Sequence, residues 1–457
     1  MMLPDTVRRI RPGGFANRTK GLAALSFLAV GMAVASPATA QPLTLEEAIS
    51  RADAASRANR AKQHELEGAR YQHSAALADL GPKVNLSVDY QRWDSPIKFA
   101  IDLPQEMKDA LGLGDFQATE SVVREQNTYS ASINVVQPLT PLLTMGYAAH
   151  LQKLNVDRAR LAAVAERRKT RIQVIDAFYG ILKLRETVRT LEALDKAATG
   201  HLEQATRFET VGMLKKDDVM RIQVQVETLR QQLDMARTGA QVQASSLALL
   251  VGMPVNAEID PVEAQVPQDV TEGLDDCLAE ALAKRPEPEM ARVAVRMAEA
   301  ARNLRITTWV PTVAGLVNFN QTNPTEFSRS KSWFVGLTAQ WTPWDWGKTF
   351  FQTRAAHADL LAARQSAGQV EDLVRLEVKA NWLAARTAKA GIERSARSVE
   401  QARENLRIQM ERSRQNLNTT TDVLDAEALV LQAETEAAAA GYGWRVAREK
   451  LYDSMGR

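Results

Sequence analysis

Five histidines, at positions 64, 73, 150, 201 and 357, are the side chains here with the widest chemical range. Imidazole can serve as general base, proton shuttle or metal ligand, but each use needs partners at a defined spacing. No His-Glu-x-x-His stretch occurs, and Cys277 is the single cysteine, so no Cys/His spacing of the zinc kind exists. Gly347-Lys348-Thr349 ends like a phosphate-binding loop. Such a loop needs a further glycine at position 342, which is Thr. No nucleophile–base pair stands out. These residues argue against an enzyme and call for no cofactor. A lone cysteine also excludes an intrachain disulfide, and on a helical apolar face it reads as a small core residue. With 57 basic and 55 acidic residues the net charge is +2, which gives no electrostatic case for nucleic acid.

The function must therefore lie in the elements. Residues 1–40 read as a signal peptide. Arg8, Arg9, Arg11, Arg18 and Lys20 precede the apolar run "GLAALSFLAVGMAVA", and Ala38-Thr39-Ala40 fits a small-x-small cleavage site. The apolar run is short for a spanning helix, and no other run is longer, so entry into a membrane would require a β-barrel. Between Pro141 and Pro254, and after Pro343, there is no proline. Proline inside a helix costs about 3 kcal/mol, so these tracts can hold uninterrupted helices. Apolar residues recur at spacings of three and four, as in Ile172, Ile175, Phe178, Tyr179 and Leu182. Long helices are expected over about 143–210 and 346–411, shorter ones over 44–80 and 274–308, and return helices over 217–250 and 420–455.

The chain also repeats. The stretch from Leu45 and the stretch from Leu274 align at an offset of 274 − 45 = 229, which carries Pro82 onto Pro311. "TVGMLKKDDVM" likewise matches "RQNLNTTTDVL", placing Asp218 opposite Asp422. This divides the chain into a first repeat over 41–251, a linker over 252–273 and a second repeat over 274–457. After each Pro the period changes to two. Val84, Leu86, Val88 and Tyr90 alternate with Asn85, Ser87 and Asp89, and Trp333, Val335, Leu337, Ala339 and Trp341 alternate with Gly336, Thr338 and Gln340. Four strands are expected, at about 84–92, 128–137, 312–320 and 332–341, each the length of a tilted membrane strand. Trp93, Trp309, Trp333, Trp341, Trp344 and Trp346 stand at or beside strand ends, as at a bilayer interface.

Four strands cannot close, and an open edge in hydrocarbon leaves unpaired N–H and C=O groups. Chains must pool strands, and the polar strand faces suit a wet lumen. The fold expected is mainly α with a small β part. A soluble periplasmic helical scaffold or adaptor is the alternative, but it leaves the paired alternating segments unexplained.

With "LTLEEAI", "LGPKVNLS", "VPTVAGL", "VVQPL", "TVGMLKKDDV" and "NLNTTTDVLDA" in order and duplicated, the mature chain resembles the TolC-type outer-membrane efflux proteins. The resemblance implies a homotrimer, with a 12-stranded β-barrel in outer-membrane lipid and an α-barrel across the periplasm. It would act as the exit duct of a tripartite efflux or type I secretion system. It implies that the turns with Val211, Gly212, Met213 and Leu214, and with Asn416, Leu417, Asn418 and Thr419, meet a periplasmic adaptor bound to an inner-membrane pump. It implies that Asp422 and Asp425 ring the periplasmic constriction, with N-capping as the plainer role for Asp422. The family's Arg/Tyr latch is absent, since Asn418 and Ser413 occupy those positions. Arg414 or Arg412 is the substitute partner for Asp218. The long first interstrand loop, about 93–126, would face outward, with no role assigned. Cargo is not readable.

Overall fold

The computed structural model describes residues 41–100, 103–114, 120–263, 269–323, 329–415 and 417–457. The expected signal segment 1–40 lies outside the described residues. The described residues from 41 onward belong to one unit. Its spine is two long antiparallel helix pairs. Helix α4 (Pro141–Thr210) returns as α5 (Lys216–Leu250), and α8 (Lys348–Arg414) returns as α9 (Thr420–Ser454). At 1.5 Å per residue the two long members run roughly 100 Å. Helices of that length cannot share one compact core, and the apolar side chains bury in seams instead. One seam joins Leu191, Ala198 and Ala205 of α4 to Val219, Ile222, Val226 and Leu229 of α5.

The shorter expected helices, 44–80 and 274–308, are each broken at one residue. The first is α1 (Leu45–Ala55) and α2 (Arg57–Ala78), and the second is α6 (Leu274–Lys284) and α7 (Pro286–Ile306). The breaks, Ser56 and Arg285, are repeat equivalents, since 56 + 229 = 285. Pro286 forces Arg285 out of the helical region, at ψ 142°, and then starts α7 as its first residue. Ser56, at ψ 121°, caps α2 by accepting from the Asn59 amide at 3.2 Å.

The start of the first repeat is tied to the linker, where β1 (Gln41–Leu43) pairs in parallel with β6 (Ile259–Pro261). Leu43 and Ile259 bury there against Phe178 and Ile181 of α4 and Leu247 of α5. A charged clamp ties the middle of the bundle together. Arg168 of α4 reaches Glu287 of α7 at 3.2 Å and Asp453 of α9 at 2.9 Å, and Arg285 reaches Glu287 at 3.0 Å and Glu377 of α8 at 2.8 Å.

The four expected strands form one antiparallel sheet in the order β2 (Lys83–Arg92), β5 (Asn127–Pro138), β7 (Thr312–Thr322) and β8 (Lys331–Gln340). Thr140 fastens it to the helices, donating to the Pro311 carbonyl and accepting from the Val313 amide, both at 2.7 Å. A second sheet lies inside the long first loop, where β3 (Ile97–Phe99) pairs with β4 (Ser121–Arg124) and brackets a short helix α3 (Gln105–Ala110). Among the described residues no helix is long and apolar enough to cross a membrane.

Candidate functional site

Residues directly opposite in an antiparallel sheet share a face. Val84, Val135, Val317 and Val335 form one row across the four strands, and Leu86, Ile133, Phe319 and Trp333 form the next. On the other face Asn85, Asn134, Asn318 and Phe334 form a row beside Ser87, Ser132, Asn320 and Ser332. The Ser87 and Ser132 hydroxyls lie 2.7 Å apart. The apolar rows are exposed along both edge strands, β2 and β8. The sheet is therefore two-faced, with one side fit for hydrocarbon and one for water, and among the described residues both edges are open.

Trp333 continues the apolar face, where it stands opposite Phe319. Trp309, Trp341, Trp344 and Trp346 are exposed around the junction of the sheet with α7 and α8, and the rings of Trp344 and Trp346 lie 6.0 Å apart. Trp93 faces the other way. Its indole N–H donates to Thr128 at 3.1 Å, on the polar face, and the Arg124 guanidinium lies 3.6 Å above its ring. Period-two phase decides this: 85, 87, 89, 91 and 93 fall on one side of the strand, whatever the ring prefers.

The opposite end holds the two helical turns. Gly212, at φ +77°, closes α4, and the Met213 amide bonds back to the Phe208 carbonyl at 2.8 Å. This throws Val211 and Met213 outward, each about two-thirds exposed, while Leu214 tucks into the α4–α5 seam. In the other turn Leu417 is exposed, and Asn418 donates to the Gln409 carbonyl at 2.9 Å. Asn416 lies outside the described residues.

Thr419 is the N-cap of α9 and Asp422 completes its capping box. The Asp422 carboxylate accepts from the Thr419 amide at 2.8 Å and its hydroxyl at 2.7 Å. Those hydrogen bonds hold the Asp422 carboxyl below the usual range. Asp425, one turn on and exposed, shares that side of the helix. The expected pairing of Asp218 with Arg414 does not form within the chain. Asp218 sits in the first turn of α5, where the helix dipole favours a carboxylate, and Arg414 pairs with Glu411 at 3.6 Å. Arg412 pairs with no carboxylate among the described residues. The bond that does span the two turns is Arg221 to the Thr421 hydroxyl, at 3.3 Å.

Behind these turns a cavity of about 210 Å³ opens between the hairpins, lined by His201, Phe208, Met213, Arg414, Asn418 and Leu424 among others. Beside it Glu427 is 3% exposed, with His201 Nδ1 at 3.5 Å and, among the described residues, no hydrogen bond to either carboxylate oxygen. Burial pushes this carboxyl up to about 7. Sequence reasoning misses the pair. The signal is present, because Glu427 interrupts the buried run Val423, Ala426, Val430 and Ala433.

The architecture is thus long paired helices that hand over to a two-faced sheet with open edges. Residues 277–457, in the second repeat, match the family model described as outer membrane efflux protein. No curated protein matches the sequence. Among solved structures the chain is similar to the Campylobacter jejuni CmeC outer membrane channel. The TM-score is 0.76 at 13% identity, with 90% of this chain and 85% of that one covered. It is similar to the Vibrio cholerae outer membrane protein VceC at TM-score 0.72 and 16% identity, covering 90% and 96%. It is also similar to the open state of the Neisseria gonorrhoeae MtrE outer membrane channel, at 0.67 and 16%, covering 90% and 88%. These likenesses extend the shared fold to both repeats.

Proposed function

We propose that three copies of this chain pool their sheets into one 12-stranded barrel in the outer membrane and their helices into a hollow shaft across the periplasm. Together they form the exit duct of an efflux or type I secretion assembly. The observation that carries this reading is the four-stranded sheet, apolar on one face and polar on the other, with β2 and β8 at its edges. In lipid each edge must find another chain's edge, because unsatisfied backbone groups cost several kcal/mol each. Strand β8 of one copy then pairs with β2 of the next.

At the far end, the outward Val211, Met213 and Leu417 suit the periplasmic adaptor that links such a duct to an inner-membrane pump. Asp422 and Asp425 repeat three times around one axis, and a ring of carboxylates there attracts cations. The two acids separate in their effects. Asp425→Asn lowers cation preference and leaves the helix end intact, whereas Asp422→Ala also removes half a capping box.

The test is cell fractionation followed by planar-bilayer recording. A duct appears in the outer membrane as a heat-modifiable oligomer and conducts. A protein found soluble in the periplasm, or one that remains monomeric in detergent, removes the reading.

A further inference from the structure

Helices α4, α5, α8 and α9 meet behind the two helical turns and leave a space between them. The cavity there, of about 210 Å³, is built from residues of one chain, so no second copy is needed to form it. Phe208, Met213 and Leu214 come from the first hairpin, and Met410, Val423 and Leu424 from the second. A cavity of about 150 Å³ holds one benzene ring, so this one has room for a ring and a short chain. Methionine makes an adaptable apolar wall, and the face of Phe208 also attracts a cation.

An apolar wall names no ligand, but the polar end of this one does. Glu427 lies one turn after Val423 and Leu424, on the face of α9 that those residues present to the cavity. It is 3% exposed, and among the described residues neither of its oxygens accepts a hydrogen bond. Such a group has lost its water and lacks a donor in return. His201 links it to the cavity, which the imidazole lines, with Nδ1 3.5 Å from a Glu427 oxygen. Turning Nδ1 to the acid leaves Nε2 as the nitrogen for a ligand. The charged groups on the neighbouring elements have other neighbours. Arg414 of α8, mostly in solvent, pairs with Glu411 at 3.6 Å, and Arg221 of α5 is bonded to Thr421 at 3.3 Å. On α9 itself Asp422 is held in its capping box and Asp425 is exposed. The charge missing at Glu427 is a positive one.

We propose that this cavity binds a small amphipathic amine, with its apolar part against Phe208 and the two methionines and its ammonium group directed at the His201–Glu427 pair. The ammonium donates to His201 Nε2 and is attracted by the Glu427 carboxylate behind the ring. A molecule seated there touches both hairpins at once, so it biases how far apart they stand. The site goes beyond the duct reading and does not depend on it. Binding draws the proton from Glu427, which burial otherwise keeps on up to about pH 7, so the amine binds more tightly at pH 8 than at pH 6.

The experiment uses the purified full chain in lipid nanodiscs, with Cys277→Ala as background, since that buried thiol is the only native one. Met410→Cys is added, and its labelling by a maleimide is followed with phenethylamine present. Saturable protection is expected, half-complete at about a tenfold lower amine concentration at pH 8 than at pH 6. Phenethyl alcohol, of the same shape without the charge, should need about tenfold more at pH 8, the scale of a charge-assisted hydrogen bond. Glu427→Gln should bring the amine to the level of the alcohol, remove the pH dependence and leave the alcohol unchanged. Leu424→Cys, on the facing helix, should give the same order. Equal protection by amine and alcohol overturns the proposal, as does an amine that Glu427→Gln leaves unaffected. Stronger protection by phenylacetate overturns it too, because the cavity then reads Arg414, and so does a lack of protection at both thiol positions. None of these outcomes bears on outer-membrane assembly, so the duct reading stands or falls separately.

Discussion

His201 Nδ1 on α4 and a carboxylate oxygen of Glu427 on α9 face each other at 3.5 Å across the seam between the two helical hairpins. Among the described residues no hydrogen bond reaches either Glu427 oxygen, so an acid sits in the one interface that must change if the hairpins move apart. Burial, together with Arg414 approaching from α8, holds the His201 imidazole below its ordinary value. From α5, Arg221 is engaged with Thr421.

This pair makes stability at the tip depend on pH in a defined direction. Glu427 titrates at about 7 in the folded chain, against an ordinary 4.5 for a solvated glutamate. The folded state therefore holds a proton that the unfolded state releases, and its contribution is full below about 4.5 and lost as pH rises through 7. Glu427→Gln keeps the neutral form at every pH. The variant should exceed the parent by less than about 1 kcal/mol at pH 5 and by on the order of 3 kcal/mol at pH 8, since each tenfold change in a proton-binding constant is worth about 1.4 kcal/mol. His201 acts in the opposite sense, losing its contribution as pH falls below its ordinary 6.5. Thermal unfolding in detergent at pH 5, 6.5 and 8 gives the comparison, and parallel curves for the two proteins would refute the assignment.

The central clamp should be far more sensitive than the surface ion pairs around it. Arg168 is mostly buried and is shared by Glu287 and Asp453, whose carbonyl it also contacts. Arg168→Ala leaves Asp453, itself buried, without its cation. Breaking such a buried pair costs about 3–5 kcal/mol. Arg403, exposed and paired with Glu434 at 2.6 Å, is the control, and Arg403→Ala should cost no more than about 1 kcal/mol. Urea unfolding of the two variants separates the cases.

Much of this arrangement is legible in the residues themselves. Period-two alternation after Pro82 and Pro311 places β2 and β7, and proline-free tracts place α4 and α8 to within a few residues. What stays hidden has physical causes. Arg285-Pro286 announces a helix break, but Ser56 carries no proline, and only the repeat offset links the two. β1 and β6 are three residues each, too short for any period, and are held by tertiary packing on α4. Indole preference puts Trp93 at a bilayer interface, but its phase along the strand decides its face. Glu427 looks like one more surface acid because the chain has 55 acids, and only its place among valines and alanines distinguishes it. The Asp218–Arg414 pairing rests on analogy, and within the chain Arg414 pairs with Glu411 while Asp218 sits in the first turn of α5.

Two glycines with the same backbone conformation should respond differently to substitution. Gly252 and Gly212 both have φ +77°. A Cβ on Gly252 would stand 2.3 Å from the Ala55 Cβ, where the end of α5 passes the end of α1, whereas one on Gly212 would meet nothing within 4 Å. Gly212→Ala bears only the left-handed penalty of about 1–2 kcal/mol. Gly252→Ala adds a clash with the Ala55 methyl, which has no rotamer to escape through, and should lower the melting temperature clearly further. Equal shifts would mean that α1 gives way at no cost.

The two faces of the sheet can be tested with one residue type. Val335 and Thr338 lie three positions apart on β8 and point to opposite sides, Val335 paired with Val317 and Thr338 with Ala314. Arginine at Val335 would put a cation into hydrocarbon midway along the strand, at a cost of about 2–4 kcal/mol. Arginine at Thr338 would project into the water-filled lumen and be solvated. Val335→Arg should therefore lower the amount of heat-modifiable oligomer in the outer membrane, while Thr338→Arg should assemble normally and shift ion preference toward anions. Normal assembly of Val335→Arg with loss of Thr338→Arg would invert the faces and place the row of asparagines and serines against lipid, where their amides and hydroxyls would have too few partners.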